Sequence, residues 1–174
     1  MVTEVEPWLN RKFNFDFPAT LYPNGLARIR GTPSRLEDAV HGLSREHLIA
    51  KGEGKWSIQE NAGHLLDVEG LCWRRLQEYL TGAELLTAAP YENAELRHNE
   101  QPIRAILDNF RAARERQVKV LTGLRPDDFT RTAWHPRLHT PMRLVDHLLF
   151  IAEHDDHHLA RIWELRASLT SNAE

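Results

Sequence analysis

Cysteine is almost missing from this 174-residue chain. The single Cys72 cannot form an internal bridge, which excludes a disulfide-stapled fold and points to a reducing compartment. Long apolar runs are missing too. No early segment joins a basic stretch to a long apolar one, so neither a signal peptide nor a membrane span is expected, and the chain reads as cytoplasmic. There is no excess of positive charge: 22 Lys and Arg stand against 25 Asp and Glu, a net charge of -3, and that leaves no overall basic field to attract nucleic acid. Several catalytic signatures are also lacking. The chain has no P-loop, no G-x-G-x-x-G, no G-x-S-x-G elbow and no H-E-x-x-H, since Asp155 follows His154. The repeated E-x-x-H pairs of di-iron bundles are absent as well, Glu153 preceding His157 by four residues, so a di-metal carboxylate site is not expected.

What remains is an ordinary soluble composition, 41% hydrophobic and 27% charged, in a length that suits one domain. A chain of this size buries roughly two-thirds of its unfolded surface, so its fold needs no structural metal, and a metal site would be functional. The unusual feature is histidine: there are ten, six of them between His135 and His158.

Hydrophobic spacing predicts an all-α fold of four helices. Residues 1–23, with Trp8, Phe13, Phe15, Phe17 and Leu21 between Pro7 and Pro18, read as an irregular arm packed on a single bundle domain, 24–174. Helix one spans about 24–43, kinked or restarted at Pro33, which lacks the donor for the i-4 carbonyl. A loop of Gly52, Gly54 and Lys55 leads to Ser57 and Glu60, a capping box that starts helix two at about 57; Gly82 is a C-terminal stop after about 81. Helix three begins near Pro102 and runs toward Gly123. One short helical turn is expected in the next connection. Thr140 and Pro141 then look like an N-cap and first helical residue of helix four, about 141–168, and no strand is expected beyond the arm. The connection 82–99 is long enough to return along a whole helix at up to about 3.3 Å per residue, so helices two and three are expected to be parallel, joined by a crossover.

Chemistry concentrates on helix four. His154 and His158 are four residues apart, one above the other on the inward stripe and about 6 Å apart in rise, which is metal-ligand spacing. His64, on the inward side of helix two, is the natural third ligand. Three neutral imidazoles would leave a divalent metal open to water or substrate. On spacing alone, a histidine pair of this kind is more often two hydrogen-bonded or solvated side chains than a metal site. His157 competes with His158 but flanks the seam. His147 lies about 10.5 Å along the axis from His154, too far to share an ion, and reads as a core or pocket-wall residue. His135 and His139 suit a structural role in the loop entering helix four. Glu60, Asp67 and Asp155 are candidates to orient ligands or act as base, the capping role being the stronger one for Glu60. Cys72 reads as a small buried hydrophobe. Arg111, Arg114 and Arg116 read as an exposed helical face; one of them, or Arg161 beside the site, could hold an anionic substrate.

The stretch Lys55 to Glu60 with Gly63-His64-Leu65-Leu66-Asp67, followed by His135-Pro136-Arg137-Leu138 and by Phe150 to Ile162, resembles the DinB/YfiT-like superfamily, over about Tyr22 to Leu165. The resemblance implies an up-down-down-up four-helix bundle, a homodimer, and a divalent metal, zinc or nickel, on three histidines that correspond here to His64, His154 and His158. It also favours His158 over His157. Relatives include thiol-dependent enzymes, such as bacillithiol S-transferases and a mycothiol-dependent maleylpyruvate isomerase, and others described as metal-dependent hydrolases. The expectation is therefore a metal-dependent enzyme that activates water or a low-molecular-weight thiol for hydrolysis or S-transfer on a small-molecule substrate, with Asp67 and Asp155 supporting the site and Arg161 binding a ligand. The competing expectation is a non-catalytic metal-binding scaffold or binding module.

Overall fold

Capping residues and glycines set the helix boundaries. The computed structural model describes residues 4–52, 55–89 and 97–171; Gly54, the connection from Pro90 to position 96 and the extreme ends of the arm and bundle lie outside the described residues. Helix α1, Tyr22–Val40, carries Pro33 within an unbroken helix rather than restarting there. One lost backbone hydrogen bond is outweighed by burial of Ile29 and Leu36 on either side of it. A short α2, Arg45–Ile49, follows, with the Ser44 side chain accepting from the His47 amide at 3.2 Å. Helix α3, Ile58–Thr81, begins at the Ser57–Glu60 capping box and stops at Gly82, whose φ of 77° is the left-handed conformation glycine adopts without penalty. Helix α4, Ile103–Thr122, starts after Pro102, and the short turn expected in the next connection is a 3-10 turn over Pro126–Thr130.

The start of the last helix differs from the sequence reading. Thr140 and Pro141 belong to a strand: β1, Thr132–His135, pairs antiparallel with β2, Thr140–Arg143, and α5 begins at Leu144 and runs to Ser171. Arg143 and Asp146 make the actual helix start, the Asp146 carboxylate accepting from the Arg143 amide at 3.0 Å and its guanidinium at 2.7 Å. Strands of four residues are too short to show alternation, and Pro141 is tolerated because β2 is the edge strand of the ribbon. His139 closes the hairpin with a φ of 49°.

Two apolar clusters reveal the topology. One gathers Leu26 and Ile29 of α1, Cys72 and Leu76 of α3, Val118 and Leu121 of α4, and Leu144 to Ala152 of α5. The other gathers Leu36 and Val40, Ile58 to Leu65, Ile106 to Phe110, and Leu159 with Ile162. The beginnings of α3 and α4 therefore share an end with the ends of α1 and α5. This is the up-down-down-up bundle, with α3 and α4 parallel. The crossover between them is tied at one end by Leu86, whose amide donates to the Trp134 carbonyl, and at the other by His98, which lies where a side chain at Gly63 would stand, 2.1 Å from an ideal Cβ.

A polar layer separates the clusters. Arg114, read from sequence as part of an exposed face, is 2% exposed. Its guanidinium donates to Glu69 of α3 at 2.6 Å, to Asp155 of α5 at 2.5 Å and to the Ile29 carbonyl of α1 at 3.1 Å. Thr32 of α1 donates to Asp155 at 2.7 Å, and Gln117 of α4 to Glu69 at 2.8 Å. The layer takes residues from all four long helices. Its pattern was hidden because Glu69 and Asp155 look like ordinary charges beside a seam, and only the third dimension brings a guanidinium between them. Arg114→Met leaves two buried carboxylates without their cation and is expected to cost about 3–5 kcal/mol in urea unfolding, against less than about 0.5 kcal/mol for Arg104→Met on the exposed side of α4.

Candidate metal centre

His64 lies two turns into α3, where the capping box fixes the register of the helix; His154 and His158 lie one turn apart on α5. The three rings converge, with centroids 4.6 to 5.2 Å apart. One nitrogen from each lies within 4.8 Å of the other two, a grouping that small side-chain movements would close around a single ion. Burial pushes the pKa of His64 down, with the Asp67 carboxylate pulling weakly the other way, and burial holds His154 and His158 well below the ordinary histidine range. All three are therefore neutral imidazoles near neutral pH, the form that coordinates a metal.

Asn61 orients one of them. Its amide NH2 donates to the Ser57 carbonyl at 2.9 Å, which turns its oxygen toward His158 Nδ1 at 3.0 Å. That oxygen can only accept, so the proton sits on Nδ1 and the Nε2 lone pair is left for a ligand. Sequence reasoning missed Asn61. The available signal was its place one turn before His64 on the same buried face. The donor set and this fixed tautomer fit a divalent cation of borderline softness.

The carboxylates proposed from sequence sit elsewhere. Asp67 is half-exposed and bonds His98 Nε2 at 2.8 Å. Asp155 belongs to the Arg114 layer, and Glu60 closes the capping box and pairs with Lys51 at 2.6 Å. Arg161 pairs with Glu164 at 2.6 Å, off the cavity wall. Beside the histidines is a cavity of about 210 Å³, lined mainly by apolar atoms from Trp8, Leu9, Val68, Leu71, Phe150 and Ile151, with His64 and His154 in its wall. The arm closes it: the Trp8 ring lies 5.1 Å from both His154 and Phe150, and Phe13 is 5.0 Å from Phe150. Trp56 covers the other side, 4.9 Å from His64 and nearly parallel to His158 at 6.0 Å. Cys72 also reaches the cavity, but burial pushes its thiol up to about 12, so it is no nucleophile at neutral pH.

The model of the DinB superfamily matches residues 28–162. The chain belongs to the DinB superfamily. Among curated relatives of this DinB superfamily chain, one from Bacillus pumilus named "Putative metal-dependent hydrolase" is 30% identical over 115 residues, which are 64% of this chain and 65% of that protein. A second of the same name, from Bacillus cereus, is 26% identical over 91% of this chain and 94% of its own length. In three dimensions the DinB bundle is similar to YfiT from Bacillus subtilis, described as a probable metal-dependent hydrolase with an unusual four-helix bundle topology: the TM-score is 0.81 at 19% identity, covering 92% of this chain and 94% of YfiT. That likeness carries the fold.

Two other histidines of this DinB chain give it an acid limit. Burial, with the charges of Arg75 and Arg137, lowers the His135 pKa to about 4, and burial holds His147 well below its ordinary value. An unfolded chain binds these protons near pH 6.5 and the folded one does not, so stability is intact above about pH 6.5 and falls as pH drops toward 4. Urea midpoints measured at pH 7 and pH 5 are expected to differ, and His135→Gln to shrink the difference; equal midpoints at the two pH values would contradict this.

Proposed function

We propose that this protein is a metal-dependent hydrolase of small substrates, holding one divalent ion, zinc or nickel, on His64, His154 and His158. The observation that carries the reading is the convergence of three neutral imidazoles from two helices within 4.8 Å, two of them, His64 and His154, in the wall of a largely apolar cavity. When bound, the ion supplies Lewis acidity and lowers the pKa of a water or thiol. The protein's part is preorganisation. Asn61 fixes the His158 tautomer, the α5 backbone sets the spacing of His154 and His158, and Trp8 and Phe150 keep bulk water from one side of the cavity. Three neutral ligands leave the full charge of the ion uncompensated, and the nearby carboxylates are already engaged with Arg114 and His98. S-transfer in place of hydrolysis would need a thiol from outside, since Cys72 stays protonated. The reading takes the lone buried cysteine as the mark of a cytoplasmic protein and the homodimer that the family resemblance implies as its assembly. No helix among the described residues is long and apolar enough to cross a membrane.

Elemental analysis of tag-free protein, paired with turnover of a panel of small esters and amides with and without added thiols, tests this. Near-stoichiometric metal is expected in the wild type, lost in His64→Ala with the helical circular dichroism kept, and bound about ten- to a hundred-fold more weakly in Asn61→Ala. Turnover should stop on chelation and return with zinc or nickel. Turnover that requires an added thiol would favour S-transfer, and a protein that takes up no metal on reconstitution would be a binding module instead.

A further inference from the structure

The same cavity holds charge that the protein does not neutralise. Three arginines line it. Arg114 is enclosed by Glu69 and Asp155. Arg75 is buried, 5% exposed, yet no carboxylate lies within ion-pair distance of it among the described residues. Its Nε donates to the Thr87 carbonyl at 2.9 Å and its Nη1 lies 3.1 Å from His135 Nε2, both neutral acceptors. Arg137 is likewise free of carboxylates among the described residues and lies over the Trp8 and Phe150 rings. Next to them, His147 is 2% exposed and neither of its ring nitrogens has a partner among the described residues. Burial lowers the pKa of Arg75, with the more distant Glu78 acting the other way.

A buried guanidinium without a carboxylate and a buried imidazole with two idle nitrogens are costly side by side. Both costs fall if an anion with a hydrogen-bonding edge enters the cavity. We propose that the cavity binds a small organic carboxylate with an apolar body, and that Arg75 takes the carboxylate while His147 offers it a hydrogen bond. The inference rests on reading the cavity as the substrate site of the three-histidine centre. Its volume bounds the ligand: a cavity of about 150 Å³ admits benzene, so about 210 Å³ admits one ring or a short acyl chain with its polar head. Arg111 and Arg161, considered from sequence for an anion, are spent on Glu37 and Glu164.

Calorimetric titration of the full chain with phenylacetate and with its neutral isostere phenylacetamide tests the assignment, each on metal-loaded and on chelator-stripped protein. Phenylacetate is expected to bind about ten-fold or more tightly than the amide in both forms, the difference of a charge-assisted over a neutral hydrogen bond. Arg75→Met should bring the ratio below about two-fold with metal content unchanged, and Arg75→Lys should keep part of it. Equal affinities, no binding of either compound, or a preference that survives in Arg75→Met would overturn the proposal. A preference seen only with metal present would put the carboxylate on the ion, overturning the role of Arg75 while leaving the three-histidine reading intact. Wild-type protein that takes up no metal on reconstitution yet keeps the preference would do the reverse. Should Arg75→Met fail to fold, the comparison of loaded and stripped wild type decides.

Discussion

Arg114 and the two carboxylates it joins are the constraint on which the rest of the bundle depends. The layer sits between two apolar clusters, Glu69 between Leu65 and Cys72, Asp155 between Ala152 and Leu159, Arg114 between Phe110 and Val118. A buried ion group of this kind adds little net stability over an apolar substitute of the same shape. What it does is make every other arrangement expensive. Sliding any one helix by a turn would strand a guanidinium or a carboxylate in the core, so the layer fixes α3, α4 and α5 against one another along the bundle axis.

That axial register is what the candidate centre requires. His64 stands five residues before Glu69 on α3, and His154 is the neighbour of Asp155 on α5. The ion-paired layer and the three-histidine cluster are therefore carried by the same helices within about two turns. The cavity opens between them, its wall passing from the neutral imidazoles to the unmatched cations Arg75 and Arg137. The arm completes the enclosure, held by Arg143, which donates to the Phe17 carbonyl at 2.6 Å, and by ion pairing of Arg11 with Glu153. Rigid helices set the positions of the polar groups, and an irregular segment covers them.

Much of this was legible in the sequence because local chemistry wrote it there. Ser57, Glu60 and Gly82 announce α3, the i, i+4 spacing of His154 and His158 puts them on one face, and the length of the crossover implies parallel helices. What was not legible depends on contacts between distant residues. The hairpin formed because Thr132 to His135 had a partner in Thr140 to Arg143, with too few residues in either strand to signal it. Arg114 looked solvated because its neighbours Glu115 and Arg116 are, and Asp67 looked like a support for His64 although His98 arrives from the crossover to claim it. Arg75 drew no notice because an arginine in a helix is unremarkable until its carboxylate is sought and not found.

The central claim is that three imidazoles from two helices hold one ion beside this cavity. X-ray absorption at the metal edge of the reconstituted protein tests it most directly. The account predicts one ion per chain with three imidazole nitrogens at about 2.0–2.1 Å and an exchangeable light ligand, a signature that His64→Ala abolishes. An ion surrounded by oxygen donors, or the same three-imidazole signature persisting in His64→Ala, would contradict it.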